Sequence, residues 1–570
     1  NDSDIKNSIL NGTWTYSVTP GEGEFTYKFK AVDLVGKEAE IEKKVIVDTT
    51  APSVNDVSKF VIPTSEQTEQ KLFKFEGLAG SITDNGPDGK SFSSGYKEIY
   101  IDCTNDQNAN NTKLITLTPN DDGSWNTTLE FAKYPAIFNT QGRKYLKINI
   151  VDNAGNESGW QTIGNFIYDT ARPNISITKP AADEITNKEY ITVSGKAWDT
   201  YGIANDGIKL QFLDKTNTKK ASINFSVDAI SEPAGDNWSI DIYSKLKTFN
   251  EWTANATYTV GTGIKINSKY YICKTDHSVA EGGTFDSTKV NWKEVLYLED
   301  GIYSVKATAK DESGKDDGKN ISVGLTIDTT APTGTLQATQ PVIWTDSSSR
   351  NWYKSEQIKV QVTEIETDVS GVETVEAQTI SKKDSNVKSG FTTLTRKTTS
   401  DVNGNITAIW YEGYVTAASQ GGNDIVIRMT DKAGNIGTKT ASGSEATVPV
   451  YIDTEAPDSA NFVLNKVDGK TGITQKLTNR KNNVSIIMTL IDKDDLTPIS
   501  KISLNKTGAK SEEVTAPISD GDDKGKWLFT INKDDLPTTS GSLVLKVEDS
   551  LGNYVSYAPL SFQVDTNPPL

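Results

Sequence analysis

Apolar and polar residues alternate along most of the chain in short runs that predict β-strands. Examples are residues 145–151, 303–309, 425–429 and 543–547. Clusters of Gly, Asn, Asp and Pro separate these runs at intervals of roughly 8 to 15 residues, as turns do. Alternation buries one face of each strand, which is what two packed antiparallel sheets require. Because no amphipathic helix of useful length competes, the sequence predicts an all-β fold.

A pair of short motifs recurs along the chain and divides it into units. A turn of the type Asp-x-x-Gly-Asn, as at 431–435, is followed by an apolar run and then by Asp-Thr-x-x-Pro, as at 453–457. Asp closes such a turn through its side chain, and Gly or Asn accepts positive φ. The Pro fixes its own φ and keeps its predecessor extended, so we expect semi-rigid connections between units. The linker aspartates are Asp48, Asp169, Asp328, Asp453 and Asp565, and a Trp on an alternating strand precedes each turn, at Trp14, Trp125, Trp238, Trp410 and Trp527.

These landmarks predict the domain boundaries. The third unit is longer than its neighbours, and the surplus, roughly 45 residues, falls between Trp238 and Asp311. It indicates an insertion in the loop after the Trp238 strand, since exposed loop tips tolerate inserted domains. The units should form an elongated string from which the insert projects. The predicted ranges are 1–50 for the C-terminal half of a domain in a fragment of a longer protein, 51–170, 171–329 with its insert at 249–296, 330–454 and 455–567.

The repeated pattern resembles the bacterial Ig-like domains of large surface proteins and adhesins. The resemblance rests on Asp-x-Ala-Gly-Asn, then apolar-x-apolar-Asp-Thr-x-x-Pro, and covers nearly the whole chain outside the insert. It implies a tandem array of Ig-like β-sandwiches. The motif is specific for the fold and weak for function, because such domains serve as stalks, binding tips and spacers in enzymes alike.

The insert has its own motif order. Trp-x5-Tyr-x2-Gly begins at Trp252, Tyr-x-Cys-x3-His follows from Tyr271 to His277, and Trp292 stands at the end. This order resembles the small chitin-binding modules appended to chitinases and to phage tail and surface proteins. The chitinase version has an exposed Trp in a Gly-Trp-Glu-Pro context after the His. Here residues 281–286 read Glu-Gly-Gly-Thr-Phe-Asp, which favours a glycan in general over chitin.

We therefore expect a small three-stranded β module that binds polysaccharide through aromatic rings. About half of its aromatics should form the core of so small a module, Trp252 and Tyr258 foremost. The adjacent Tyr270 and Tyr271 should point to opposite faces of their strand. Exposed rings suit sugars because their apolar faces stack on pyranose C–H surfaces. The candidate carbohydrate-binding residues are Tyr270, Tyr271, Phe285, Trp292 and Trp252.

The charge and the cysteine content of the chain limit the classes of partner and the cellular location that we expect. The chain has 59 Lys and Arg against 76 Asp and Glu, a net charge of −17. It has no basic patch with interleaved aromatics, which argues against nucleic acid and anionic membranes. With no run of 18 apolar residues, we expect no membrane insertion within this fragment. The two cysteines, Cys103 and Cys273, fall in different units, so a disulfide between them is not expected, and Cys103 should be a buried strand residue. Their scarcity suits an extracellular or bacterial cell-surface protein.

Residues for catalysis are sparse. His277 is the only histidine, and its place in the insert motif gives it a structural role. Metal-binding and phosphate-binding motifs such as Cys-x2-Cys, His-Glu-x2-His and a Gly-rich phosphate loop are missing from the sequence. The acidic residues lie in the turns of repeated units, with no unique pair that would indicate a glycosidase. We therefore expect that the chain is not an enzyme.

The repeated aspartates suggest a cation site at the domain junctions. Each unit brings one turn Asp and one linker Asp, which a sandwich could place near one another at its pole. Calcium takes six to eight oxygens from carboxylates and carbonyls, and the resemblance implies that calcium can stiffen such linkers. The alternative is that these aspartates only close turns and cap strand ends. The candidate ligands are Asp152 with Asp169, Asp311 with Asp328, Asp431 with Asp453, and Asp549 with Asp565.

Together these expectations describe a non-catalytic bacterial cell-surface or secreted adhesin or stalk. It would present its carbohydrate-binding module to glycans, including those of a host or neighbouring cell. Two alternatives remain open from the sequence. One is the accessory region of a secreted polysaccharide-degrading enzyme, and the other is a segment of a phage or structural fibre.

Overall fold

The computed structural model divides into two compact units. The first consists of Asn1–Pro180, Thr192–Ile240 and Ser304–Val323, and the second of Ala181–Ile191, Asp241–Tyr303 and Gly324–Leu570. The division runs through strands of the predicted third domain, so the predicted domain boundaries stay predictions. The structure describes residues 13–56, 78–84, 93–227, 236–285, 290–319, 321–366, 369–492, 496–505, 512–565 and 567. The last linker motif reaches beyond them, at Thr566 and Pro568.

The first unit contains a hairpin and one complete pair of sheets, sandwich A. The hairpin joins β1 (Gly23–Val32) and β2 (Glu38–Val47) in antiparallel register through a turn held by the Asp33 carboxylate. Sandwich A has sheets in the orders β3-β4-β7 and β6-β5-β8-β9. Leu78 and Trp125 of the first sheet share a core with Ile101 and Ile148 of the second. The strands are β3 (Ser53–Asp56), β4 (Leu78–Thr83), β5 (Tyr96–Thr104), β6 (Ile115–Leu117), β7 (Ser124–Thr127), β8 (Gly142–Asp152) and β9 (Gln161–Tyr168), with a 3-10 turn at Phe131–Lys133 and a one-turn helix at Pro135–Phe138.

The region predicted as the interrupted domain, residues 171–329, is also built of strands. In the first unit β10 pairs with β12, and β13 lies between β14 and β22. In the second unit β11 pairs in parallel with β23. Residues along β22 alternate between buried and half-buried, as the sequence pattern predicts. The strands are β10 (Asn174–Lys179), β11 (Glu184–Thr186), β12 (Tyr190–Trp198), β13 (Ile203–Leu213), β14 (Lys219–Phe225), β15 (Asp236–Tyr243), then after the insert β22 (Gly301–Asp311) and β23 (Ile321–Ile327).

The insert is a small β module with a core of its own, in the second unit. Its β18, β19 and β21 form an antiparallel meander, and β16 extends this sheet by a short parallel pairing with β18. A second ladder joins β17 and β20. The core comprises Tyr258, Ile264, Tyr271, Cys273 and Trp292. The strands are β16 (Asn250–Glu251), β17 (Ala256–Tyr258), β18 (Gly263–Ile266), β19 (Lys269–Cys273), β20 (His277–Val279) and β21 (Trp292–Tyr297).

Sandwich B also lies in the second unit. One sheet has the order β24-β27-β31-β30, and the other follows β25-β26-β34-β32-β28-β29 with β33 paired to β32. Val360 of the first sheet and Ile427 of the second belong to one core. The strands are β24 (Thr333–Ala338), β25 (Trp344–Thr345), β26 (Asn351–Tyr353), β27 (Gln357–Glu366), β28 (Val372–Ser381), β29 (Thr392–Thr393), β30 (Thr395–Ser400), β31 (Ile406–Thr416), β32 (Gly421–Asp431), β33 (Ile436–Gly437) and β34 (Thr447–Ile452).

Sandwich C completes the second unit. Its sheets have the orders β36-β35-β38-β41 and β37-β43-β42-β39-β40. Ile486 and Phe529 of the first share a core with Leu545 and Phe562 of the second. The strands are β35 (Val463–Val467), β36 (Lys470–Thr471), β37 (Gln475–Thr478), β38 (Val484–Thr489), β39 (Ile499–Leu504), β40 (Glu513–Val514), β41 (Trp527–Ile531), β42 (Gly541–Asp549) and β43 (Tyr554–Val564), with 3-10 turns at Ser459–Asn461 and Lys533–Asp535.

The all-β prediction is therefore confirmed, and the chain is a tandem array of β-sandwiches. Over the described ranges, helix is confined to the single turns given above, none long or apolar enough to cross a membrane. Both cysteines are buried and free. Burial raises the pKa of the Cys103 thiol to about 12, so Cys103 is the inert strand residue that the sequence predicts.

Four of the five landmark tryptophans lie on strands, as the sequence predicts, and three of these four are buried. Trp125, Trp238 and Trp527 lie on strands and are buried. In β31 the neighbouring Tyr411 is buried instead, and Trp410 is half-exposed with its indole directed to Glu412. A shift of one residue along a strand moves a side chain to the opposite face, which explains this difference. Trp14 lies outside the strands and is half-exposed.

Candidate functional sites

Each repeated turn is bonded to the linker that opens its own domain. Asp152, Asp431 and Asp549 accept a hydrogen bond at Oδ2 from the amide of the Asn four residues later, at 2.7 to 2.8 Å. The same amides also donate to backbone carbonyls of linker aspartates. These bonds are Asn156 to Asp48 (2.9 Å), Asn435 to Asp328 (2.8 Å) and Asn553 to Asp453 (3.2 Å).

This grouping differs from the one expected. The sequence predicts that each turn aspartate meets the linker aspartate that follows it, as Asp152 with Asp169, whereas the structure groups Asp152 with the preceding linker aspartate, Asp48. The reason is strand direction. The turn lies where β8 ends, and β9 then runs antiparallel to the opposite pole before reaching Asp169. A turn therefore shares its pole with the preceding linker. Asp565, the last linker aspartate, is exposed.

In two domains a third aspartate joins the pole. Asp48, Asp84 and Asp152 form one group, the A triad, and Asp169, Asp199 and Asp311 form the other, the insert-domain triad. In each group one carboxylate oxygen from every residue lies within 4.8 Å of the others. Asp84 and Asp199 come from the loops after β4 and β12, which carry no repeated motif, and the sequence analysis missed both.

Each triad contains one buried carboxylate oxygen without a hydrogen-bond partner. These oxygens are Asp84 Oδ1 and Asp311 Oδ2. In the A triad, burial raises the pKa of Asp84, and the carboxylates of Asp48 and Asp152 act in the same direction, although a hydrogen bond from Ser93 opposes them. Burial likewise raises the pKa of Asp169, with Asp199 as a further cause. Grouped carboxylates with unused oxygens are the donor set that a hard cation prefers.

The insert-domain triad differs in one residue. Lys315 stands where the other turns have Asn, so Asp311 Oδ2 receives no side-chain amide. The Lys315 ammonium instead lies 3.4 Å from the Asp169 carbonyl oxygen. Its charge lowers the pKa of Asp169, opposing the effect of burial. An ammonium at this pole would compete electrostatically with a cation, so the A triad is the better candidate for a cation site.

The structure distributes the predicted carbohydrate-binding residues between core and surface. Tyr271 and Trp292 belong to the module core, and Trp252 and Phe285 are half-buried against it. Phe285 contacts three of these rings, at centroid distances of 6.0 Å to Trp252, 4.8 Å to Tyr271 and 5.9 Å to Trp292. Tyr270 is half-buried and lies on the other face of β19, as the sequence analysis expected.

His277 is part of the module framework. Its ring lies 5.1 Å from Trp292 and 5.7 Å from Tyr258, and Nδ1 lies 2.8 Å from the Thr275 carbonyl oxygen. The Cys273 sulfur also lies near Nδ1 and donates to the same carbonyl. These contacts give His277 and Cys273 a packing role within the module.

The insert is joined to its host domain by backbone pairing. Its last strand, β21, pairs in parallel with β15 at Ile242 with Leu296 and Tyr243 with Tyr297. Lys293 adds an ion pair to Asp241 at 2.6 Å. β21, the last strand of the insert, thus lies beside β15, the host strand that comes immediately before the insert in the chain.

Comparison with known proteins gives only distant likenesses. No protein-family model and no curated protein matches the sequence. Fibronectin(III)-like modules of Clostridium thermocellum CbhA share 11% identity over 49% of this chain and 94% of theirs, with a TM-score of 0.19. Escherichia coli alpha-2-macroglobulin shares 9% identity over 95% of this chain, at a TM-score of 0.15, and dimeric latent PorU from Porphyromonas gingivalis 9% over 71%, also at 0.15. The match to this chain covers 34% of the length of alpha-2-macroglobulin and 34% of the length of PorU. TM-scores this low support no inference about function.

Proposed function

We propose that this chain is a non-catalytic segment of a bacterial cell-surface or secreted adhesin, in which Ig-like sandwiches present the inserted module to glycans. One observation carries the proposal: the insert has its own core, and β21 fixes it to β15 of its host domain. A module held by backbone hydrogen bonds keeps a defined orientation, which a flexible linker would not give it. Fixed orientation favours binding to an extended surface such as a polysaccharide on a host or neighbouring cell.

The chemistry of the module supports a glycan as its ligand. Trp252, Tyr270 and Phe285 lie outside the fully buried core and are half-buried, so each keeps part of its ring in solvent. Aromatic faces stack on the C–H faces of pyranose rings, and nearby polar groups take the sugar hydroxyls. The net charge of −17 disfavours polyanionic partners such as nucleic acid.

A depletion assay with the whole chain tests this function. The protein is mixed with insoluble chitin, cellulose and xylan, and with a glycan array, and unbound protein is measured. We expect retention on at least one neutral polysaccharide and release by its soluble oligosaccharide. A folded chain that every surface leaves in solution contradicts the proposal.

The proposal includes calcium as a structural ion at the acidic poles. Asp48, Asp84 and Asp152 would hold it in sandwich A, and Asp169, Asp199 and Asp311 in the interrupted domain. The residues fit the ion because each triad has a buried oxygen that lacks a partner in the protein. A bound cation would neutralise the mutual repulsion of the carboxylates and tie the linker to the loop and the turn.

A further inference from the structure

Five aromatic rings form a continuous row across the junction of the insert and its host domain. The aromatic row consists of Tyr190, Tyr243, Phe249, Tyr270 and Tyr297. Successive centroids are 5.6, 5.9, 5.0 and 4.9 Å apart in the order given. Of these five rings, only Tyr270 belongs to the set predicted from the sequence. The other rings come close to it through the pairing of β15 with β21, which the sequence pattern does not reveal.

The row lies on the sheet face opposite the module core. Tyr271 of β19 points into that core, so its neighbour Tyr270 points away from it. Tyr270 pairs with Val295, and Tyr297 follows two residues later on the same face of β21. The row is therefore separate from the Trp252 and Phe285 rings, which pack against the core.

The rings keep part of their surface in solvent. Tyr190 is 53% exposed, and the other four are half-buried. Tyr190 and Tyr243 are inclined by 36°, and Tyr270 and Tyr297 by 30°. Phe249 stands edge-on between these pairs, at 86° to Tyr243 and 73° to Tyr270. Centroids this close mean that the two tyrosines of each pair stack on one another with an offset, so each pair offers an outer ring face; Phe249 also lies 5.8 Å from Tyr297.

Ion-paired acidic and basic groups flank the row and bear on the charge of a ligand. The Tyr297 hydroxyl donates to Glu299 at 2.8 Å. Burial raises the pKa of Tyr243, and the carboxylates of Asp241 and Glu189 raise it further. Asp241 is ion-paired with Lys293 and Glu189 with Lys247, so the charges beside the row are largely balanced. Balanced charges give an acidic sugar no unpaired cation to bind, whereas the carboxylate oxygens can still accept hydrogen bonds from neutral hydroxyls.

We infer that the aromatic row is the glycan-binding surface and that it takes a neutral, unbranched, β-linked polysaccharide. A β-linked chain of equatorial sugars is extended and presents flat C–H faces along its length, which suits a row of rings better than a curved α-linked chain. Two sugar rings stack on the two tyrosine pairs, and the flanking carboxylates accept from their hydroxyls. The inference rests on the proposed glycan-binding function and deepens it.

Calorimetric titration of the whole chain tests the inference with cellohexaose, mannohexaose and chitohexaose as β-linked probes. Maltohexaose and polygalacturonate serve as α-linked and acidic comparisons. The test variant is Tyr190→Ala, since this ring is the most exposed of the row. Its matched control is Tyr414→Ala, a tyrosine that is 55% exposed in sandwich B. Loss of one stacking ring is expected to weaken binding of the preferred β-linked probe roughly tenfold in Tyr190→Ala, with no change in Tyr414→Ala.

Hydroxyl-radical footprinting of the unmodified chain gives a second readout that needs no variant. Bound probe should protect Tyr243, Tyr270 and Tyr297, while Trp252 and Phe285 keep their reactivity. Binding that Tyr190→Ala leaves unchanged, or protection confined to Trp252 and Phe285, overturns the aromatic row but leaves the proposed function intact. Preference for maltohexaose or polygalacturonate overturns the ligand class. A chain that binds no glycan at all contradicts the proposed function itself.

Discussion

At the scale of single residues, the most informative side chain is Asp84. It is buried beside two other carboxylates, and its Oδ1 has no hydrogen-bond partner. Since its pKa is raised, the native state binds its proton more tightly than the unfolded state does. Its contribution to stability is then present at low pH and is lost as pH rises from the ordinary Asp pKa through the raised one.

The first prediction is that Asp84→Asn removes this dependence of stability on pH, because an Asn side chain does not titrate. In chelator, the variant should be more stable than the parent at pH 7, and the difference should shrink toward pH 3. Calcium should stabilise sandwich A in the parent and not in the variant, because the variant lacks one ligand. Hydrogen exchange of peptides covering β5 and β8, followed in urea with and without calcium, measures both effects.

Asp121→Asn is the control, since Asp121 is an exposed carboxylate of the same sandwich. It should keep the calcium response of the parent. An equal calcium response in Asp84→Asn would refute the assignment of the A triad as a cation site.

A second prediction concerns the side-chain amide of Asn553. It donates to Asp549 Oδ2 and to the Asp453 carbonyl, and it is buried. Asn553→Ala should destabilise sandwich C by about 1–3 kcal/mol, because buried acceptors lose their donor. The change in urea midpoint for that sandwich is the measurement.

The chain contains its own control for this substitution. Residues 401–405 of sandwich B form the same type of turn, with Asn405 donating to Asp401 through backbone and side chain. That turn is exposed and contacts no linker carbonyl. Asn405→Ala should therefore cost less than about 0.5 kcal/mol. Equal costs at the two positions would mean that the bond to the linker contributes nothing.

At the scale of elements, the pairing of neighbouring strands depends on two glycines that lie under buried tryptophans. A Cβ at Gly195 would lie 1.8 Å from the Ser176 carbonyl oxygen and 2.4 Å from the Trp238 ring. A Cβ at Gly80 would lie 2.9 Å from the Trp125 ring. The first contact includes the backbone of the paired strand β10, so it cannot be relieved by moving one side chain.

We therefore predict that Gly195→Ala separates β10 from β12 or prevents the interrupted domain from folding. Gly80→Ala should cost about 1–3 kcal/mol, the usual cost of overpacking. Gly390→Ala, with open space around its Cβ position, should be neutral. Protease resistance and hydrogen exchange of each region rank the three variants. A ranking with Gly80→Ala as the most harmful would contradict this account.

Strand identity could be predicted from the sequence because it depends on local alternation, as in β22 and β32. The grouping of aspartates could not. Asp84 and Asp199 lie in loops without a repeated motif, and the turn meets its linker through a strand reversal. The aromatic row was missed for a similar reason. Tyr190 and Tyr297 are far apart in sequence, and they join one row through the β15–β21 pairing and the rings between.

At the scale of the whole molecule, charge and repetition act together. A net charge of −17 favours cation binding throughout, but the triads differ from ordinary surface acids by burial and by their unpartnered oxygens. Weak surface association should wash out at moderate salt, whereas binding at a buried site is screened less.

We predict that the whole chain retains at least two calcium ions in native mass spectrometry at moderate salt. Asp84→Asn and Asp311→Asn should each remove one, and the double variant two, while Asp121→Asn removes none. The calcium ion at the insert-domain triad should bind more weakly than the one at the A triad, since the Lys315 ammonium lies at the same pole. Retention of both ions by the double variant would place them elsewhere.

The bond between turn and linker also limits how early each domain can be completed during synthesis. The linker carbonyl is synthesised well before the turn amide that donates to it. The two partners are separated by 108 residues for Asp48 and Asn156, 107 for Asp328 and Asn435, and 100 for Asp453 and Asn553. The interrupted domain waits longest, since Lys315 follows Asp169 by 146 residues. Domains fold as units as the chain emerges, and local contacts close faster than distant ones. The inserted module, complete within about 50 residues, can therefore fold while its host is still unfinished, so that β21 offers a formed edge to β15, which precedes it in the chain, before β22 and β23 are made.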